Sequence, residues 1–254
     1  MFRPRIIPVL LLKNEGLVKT IQFGKERYIG DPINAVKIFN DLHADELIFL
    51  DILASREKRT VSIEFIKHIG EEANMPFAVG GGIKTISQIR EIIGAGAEKV
   101  VINTEANRNI NFIRDAAEKF GSSTIVVCID VKKNLFGKYK VVSSTGERPQ
   151  IGDPLEYAKE IEKAGAGEII IQSVDRDGAM IGYDLVLLKS ISTNVSVPVV
   201  ALGGAGAFQD FEKAIFVGKV SAVAAGSLFV YHGRRNAVLI NYPSLKEKAS
   251  LKYE

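Results

Sequence analysis

A short apolar run ending in glycines occurs twice, half a chain apart: Pro76-Phe77-Ala78-Val79-Gly80-Gly81-Gly82 and Pro198-Val199-Val200-Ala201-Leu202-Gly203-Gly204-Ala205-Gly206. Each copy reads as a buried strand followed by a turn whose missing Cβ atoms bare backbone N–H groups at the start of the next helix. Those N–H groups and the helix dipole favour a bound phosphate. The same glycines also suit a tight turn with no ligand, and a lone copy would favour that reading. Two copies in one closed structure predict two anion sites on opposite sides, fitting an elongated ligand with an anionic group at each end.

Strand-like apolar runs alternate with amphipathic helix-like runs along the chain, the pattern of βα units around a parallel sheet. The strand candidates are 5–12, 46–51, 77–79, 99–103, 124–130, 168–172, 199–202 and 221–226, with no linker or low-complexity stretch between them. Asp31-Pro32 and Asp153-Pro154 mark helix starts, each a capping carboxylate before a proline that costs little at the first helical position. Eight such units in 254 residues predict a single α/β domain, a TIM (β/α)8 barrel. Its half-barrels fall at about 1–121 and 122–230, followed by an atypical C-terminal segment, 231–254.

Composition excludes several classes. With 46% hydrophobic and 25% charged residues, no apolar run approaches the roughly 18 to 20 residues that span a bilayer. The opening stretch, basic then apolar, contains Pro8 and runs into Lys13-Asn14-Glu15, so it reads as a first strand rather than a signal peptide; the expected location is cytoplasmic, with no membrane partner. The single cysteine, Cys128, and three histidines without ligand spacing, His43, His68 and His232, predict neither a metal nor a cofactor. A net charge of +3 is too small to predict a nucleic-acid partner.

Several segments together resemble the HisF family, the cyclase subunits of imidazole glycerol phosphate synthase in histidine biosynthesis, over about residues 3–230. They are Arg5-Ile6-Ile7, the run 45–52, Val79-Gly80-Gly81-Gly82-Ile83, Ile102-Asn103-Thr104, Val127-Cys128-Ile129-Asp130, the run 165–169, Asp175-Arg176-Asp177-Gly178 and Gly203-Gly204-Ala205-Gly206. The resemblance implies a half-barrel duplication, a phosphorylated small molecule with two phosphates, and ammonia delivered by a separate HisH-like glutaminase. It implies phosphate pockets at Gly81 and Gly82 with Asn103 and Thr104, and at Gly203 and Gly204 with Gly226 and Ser227. Lys19, Asp51, Asp177 and Gly178 would line the substrate site. Taken alone, the two aspartates could be local turn caps and Lys19 a solvated loop charge. Arg5, Glu46, Lys99 and Glu168, each at a strand start, match the charged gate through which ammonia enters the barrel. Parity puts Arg5 on one face with position 11, and Lys99 with Asn103; the plain alternative is charges meeting solvent at the barrel bottom.

The family uses two facing aspartates as acid and base. Asp130 matches one, but Leu11 stands where the other belongs, and a leucine carries no proton. Losing a positioned acid or base costs roughly 10²- to 10⁴-fold in rate. Glu15, in the following loop, is a poor substitute for a group on a rigid strand. Gln172 replaces a smaller polar residue, Leu202 replaces a serine, and Cys128 should point into the packed core without chemistry. The apolar part of the C-terminal segment predicts docking rather than disorder. These departures make the chain similar to WbuZ-type glycosyl amidation proteins, which implies a third enzyme, a sugar amidotransferase. Two readings follow. One is a cyclase or lyase subunit with Asp130 as the surviving acid or base. The other is a conduit that activates a glutaminase and passes ammonia on. The sister isomerase of the pathway ranks last, because it needs both aspartates and no gate.

Overall fold

Short apolar runs translate directly into strands buried on both faces. The computed structural model describes residues 3–14, 16–143, 152–233 and 235–251. Among them run β1 (Arg5–Lys13), β2 (Leu47–Asp51), β3 (Phe77–Gly80), β4 (Lys99–Ile102), β5 (Ile125–Lys133), β6 (Glu168–Ser173), β7 (Val199–Leu202) and β8 (Ala222–Ala225). Each is parallel to the next, and β8 returns to β1 with Ala222 beside Arg5 and Ala225 beside Pro8, closing a TIM-type barrel. Glu15, residue 234 and residues 252–254 lie outside the described residues.

Strand period sorts the side chains into two layers. Ile7, Val9, Ile48, Val101, Val126 and Ile170 belong to a buried cluster inside the barrel. Their neighbours, such as Ile6, Leu10, Phe49, Val127 and Ile169, face the helices. Those helices are α1 (Pro32–Asp41), α2 (Ile63–Glu72), α3 (Ile86–Gly94), α4 (Asn111–Phe120), α5 (Pro154–Lys163), α6 (Leu185–Ser192) and α7 (Phe208–Phe216). Asp31 accepts the N–H of Asn34, and Asp153 those of Leu155 and Glu156, so both aspartate–proline pairs start helices as the sequence predicts.

Two strands carry hairpins beyond the sequence expectation. Strand Gly16–Lys19 folds back antiparallel on β1, with Arg27–Gly30 beyond it, and Tyr139–Val141 folds back on β5. Both extend the mouth, the end where the strands finish.

The C-terminal segment docks as expected, with Ile240 and Tyr242 packed on the core, though only part of its apolar stretch takes part. Val238 and Leu239 are exposed, whereas Leu251 is fully buried and Tyr242 packs its ring on Phe39 and Phe229. The Tyr242 hydroxyl accepts the Asp45 N–H at 3.0 Å and donates to the Ile6 carbonyl at 2.7 Å. Buried Lys248 donates to Asp45 and to the His43 carbonyl, and Arg3 pairs with the same carboxylate. The last residues therefore brace the seam where β1 and β2 begin. Tyr242→Phe removes two hydrogen bonds at a part-buried site, the one from the Asp45 N–H and the one to the Ile6 carbonyl, a cost of about 1–2 kcal/mol. At about 2–4 °C per kcal/mol for a domain of this size, calorimetry is expected to show a clearly lowered melting temperature; an unchanged one would deny the bracing role.

Candidate active site and axial charge ring

At the strand starts, Arg5, Glu46, Lys99 and Glu168 meet in one alternating ring. Arg5 donates to both Glu46 and Glu168, and Lys99 reaches the same two carboxylates at 3.0 and 3.1 Å. Glu46 and Glu168 are buried, while the cations keep part of their surface. Burial works against the Arg5 charge, but Glu168 and Glu46 outweigh it and hold its pKa above the ordinary value. Four charges, three on strands β1, β4 and β6 and Glu46 just before β2, thus close one end of the barrel, rather than meeting solvent separately.

Above the ring the interior is apolar until the mouth, where a cavity of about 170 Å³ opens. Asp51, Gly81, Gly82, Asn103, Thr104 and Asp130 line it, with Leu11, Cys128 and Gln172. Asp130 is buried, and burial raises its pKa to about 7; the Asn103 amide and the Cys128 thiol pull the other way, and the Asp177 charge adds to the rise. The Cys128 sulfur lies 3.7 Å from Asp130 and 3.8 Å from Gln172, so it points into the barrel as expected, but against the cavity floor. The same burial lifts its own pKa well above normal, which makes it inert as a nucleophile.

A second, smaller cleft of about 30 Å³ adjoins the first through Leu11, Thr20 and Gln172, and contains Lys19, Asp177, Gly178, Gly203, Gly204, Gly226 and Ser227. Lys19 is not a loop charge. It sits on the hairpin strand beside β1, buried, and donates to the Val9 carbonyl at 2.5 Å. A Cβ at Gly226 would overlap its ammonium, so that glycine makes room for the lysine. Burial lowers the Lys19 pKa to about 8 against the opposing pull of Asp177, whose own pKa burial raises. Asp177 also receives Thr20 and Gln172. One cleft thus carries its own cation among the glycines.

The glycine loops are required by packing as well. Gly82 holds φ +68°, and a Cβ there would run into the Arg59 carbonyl; Gly204, in the other half, would meet the Gly182 carbonyl in the same way. Asp51 is engaged locally: it accepts the N–H groups of Leu53 and Ala54 and pairs with Arg59. Its turn-capping role is therefore realised, and it borders the cavity as part of the wall. Short helices start next to each pocket, at Thr104–Arg108 and Ser227–Val230. Leu202, before the second glycine pair, closes the floor of the smaller cleft.

Sequence reading missed Arg56, Lys84 and Thr20, which also line the site. Lys84 stands two residues after Gly82, a signal that was legible; Arg56 reaches the wall only through the winding of the loop after β2. Among the described residues no cluster of His, Cys, Asp and Glu could hold a metal ion, and no helix is long and apolar enough to cross a membrane.

The family model described as histidine biosynthesis protein matches residues 5–235. A Pseudomonas aeruginosa protein provisionally named as a HisF-type imidazole glycerol phosphate synthase subunit is 49% identical over 247 residues, 97% of this chain and 98% of that protein. A Vibrio vulnificus protein with the same kind of provisional name is 47% identical over 249 residues, 98% of this chain and 96% of its own. The imidazole glycerol phosphate synthase subunit HisF of Chloroherpeton thalassium is 43% identical over 248 residues, 98% of each chain.

Proposed function

Because the chain belongs to the histidine biosynthesis protein family, among its HisF-type members, we propose that it is the synthase subunit of a cytoplasmic glutamine amidotransferase heterodimer. A HisH-like glutaminase docks below the ring of Arg5, Glu46, Lys99 and Glu168, and ammonia passes through that ring and along the apolar axis to the mouth. The observation that carries this reading is the pairing of a charged closure at one end with Asp130 at the other, separated by an apolar interior. Uncharged ammonia crosses such an interior at far lower cost than ammonium, since burying an unpaired charge is expensive.

At the mouth a ligand with two phosphates would place one beside Gly81, Gly82, Asn103 and Thr104. The other would lie beside Gly203, Gly204, Gly226 and Ser227, where it would meet the Lys19 ammonium. Asp130 is the acid or base: a carboxyl with pKa about 7 exchanges a proton near neutrality without a strong bias either way. Leu11 supplies no second carrier, so formation of imidazole glycerol phosphate is impaired. That same substitution favours a second reading, a WbuZ-like conduit that activates the glutaminase and hands ammonia to a separate amidotransferase making acetamidino sugars for surface polysaccharide.

The deciding experiment supplies ammonium salt and the histidine-pathway bisphosphate to the purified chain. Slow but measurable turnover is expected. As a base, Asp130 must be deprotonated, so the rate is expected to rise with pH through about 7, and Asp130→Asn is expected to remove both that limb and the turnover. No turnover, together with full glutaminase activation, would select the conduit; turnover untouched by Asp130→Asn would dismiss the acid–base role.

A further inference from the structure

The hairpin that extends β5 ends in a turn at 134–138 whose side chains have no evident work in the barrel. Leu135 and Phe136 are 102% and 87% exposed, the two most exposed large hydrophobic residues among those described. The turn that carries them is internally bonded. Asn134 accepts the N–H groups of Phe136 and Lys138 at 3.0 Å each and donates its own N–H to the Lys138 carbonyl at 2.9 Å. Gly137 takes the left-handed conformation at φ +73°. Leu135 and Phe136 are therefore held outward by a closed turn.

Behind the tip the hairpin is basic on both strands. Lys132 pairs across it with Lys140, Lys138 follows the turn, and no acidic residue occurs between 131 and 140. Lys132, Lys138 and Lys140 are exposed. Lys133 is engaged by Asp184 at 3.6 Å and by the Tyr139 ring. The hairpin is also anchored to the rim: the Lys133 N–H donates to the Asp175 carboxylate, and the Gln22 amide to the Asp175 carbonyl, both at 2.8 Å. The tip thus projects from the mouth alongside the loop bearing exposed Ile21 and Phe23.

We propose that this tip is a peripheral docking element for an anionic bilayer surface, inserting Leu135 and Phe136 at the interface while the lysines face the headgroups. A convex apolar point suits a soft interface better than a protein surface, which would need a matching pocket. The spacing agrees. Lys132 lies three residues before Leu135 and Lys140 four after Phe136, about 10–13 Å at the rise of a strand, which sets the ammonium groups at the headgroups when apolar side chains sit about 5–10 Å deep. The barrel mouth would then face the membrane. Leu135, Phe136, Lys132, Lys138 and Lys140 belong to neither the ring nor the cavity, so the proposal stands or falls apart from the reaction.

The test is flotation of the full chain with vesicles of phosphatidylglycerol and phosphatidylcholine in equal parts, against phosphatidylcholine alone. Binding to the anionic vesicles at low salt, weakening as salt is raised, is expected. Leu135→Ser with Phe136→Ser is expected to lower partitioning by about 10- to 100-fold, and Lys138→Gln or Lys140→Gln by about fivefold each. Thermal melting and any ammonium-driven turnover should not move. The proposal is overturned if the wild-type chain ignores anionic vesicles at low salt, if the tip variant binds them equally well, or if the tip variant loses only a complex with a purified protein partner.

Discussion

Leu11→Asp is expected to raise ammonium-driven formation of imidazole glycerol phosphate by about 10²- to 10⁴-fold, measured as steady-state turnover at saturating ammonium. The position is prepared for the change. Leu11 lies on β1 where the two clefts join, so a carboxylate there would stand across the mouth from Asp130. Lys19 occupies the same smaller cleft and would supply a counter-charge. Leu11 is half-buried, at the mouth end of the interior cluster, so its loss removes some apolar contact without opening the core. Adding Asp130→Asn to the restored chain should abolish the gain. If Leu11→Asp brings no turnover, the fault extends to Gln172 and Leu202, whose side chains narrow the same clefts.

Lys99→Glu is expected to separate the two ammonia sources. Lys99 joins the Glu46 and Glu168 carboxylates, and its reversal would put a third acid among them, with Arg5 as the remaining cation of the ring. Glutamine-dependent turnover in the presence of the glutaminase should fall by at least about tenfold, while turnover with added ammonium, which can reach the mouth directly, should persist. Breaking such an ion pair costs about 3–5 kcal/mol when it is wholly buried, and less here because Lys99 keeps 20% of its side-chain surface. Lys99→Met provides the milder control. Equal losses from both ammonia sources would mean that the ring only holds the barrel together, and no loss from either would remove the gate altogether.

The barrel was legible because its signals are redundant. A strand such as Ile125–Lys133 alternates inward and outward residues along its buried length, and an aspartate before a proline starts a helix wherever it falls. Parity put Arg5 on one face with Leu11 and Lys99 on one face with Asn103, while Glu46 and Glu168 joined the expected ring through the family resemblance. What stayed hidden depended on chain paths that no local pattern encodes. Lys19 was expected at the site through the resemblance, but its burial was hidden because the four-residue strand that carries it is too short to register as a pattern. Asp51 could not be assigned to Arg59 without the winding of the intervening turn. In the C-terminal segment apolarity was a partial guide, since Ile240, Tyr242 and Leu251 pack on the core. Val238 and Leu239 nonetheless stay at the surface, and the polar bonds that complete the docking, from the Tyr242 hydroxyl and the Lys248 ammonium, are not announced by any apolar pattern.

That brace joins residues separated by almost the entire chain: Tyr242 bonds the carbonyl of Ile6. All eight strands precede this fastening in the chain, and β8 already closes on β1 across a comparable separation, Ala222 beside Arg5. A chain cut short after β8 could still assemble its sheet, yet the Asp45 N–H and the Ile6 carbonyl would lack their partner. A barrel without Tyr242 and Lys248 should therefore open more readily at the β1–β2 seam and be cut faster there by a protease than the intact chain.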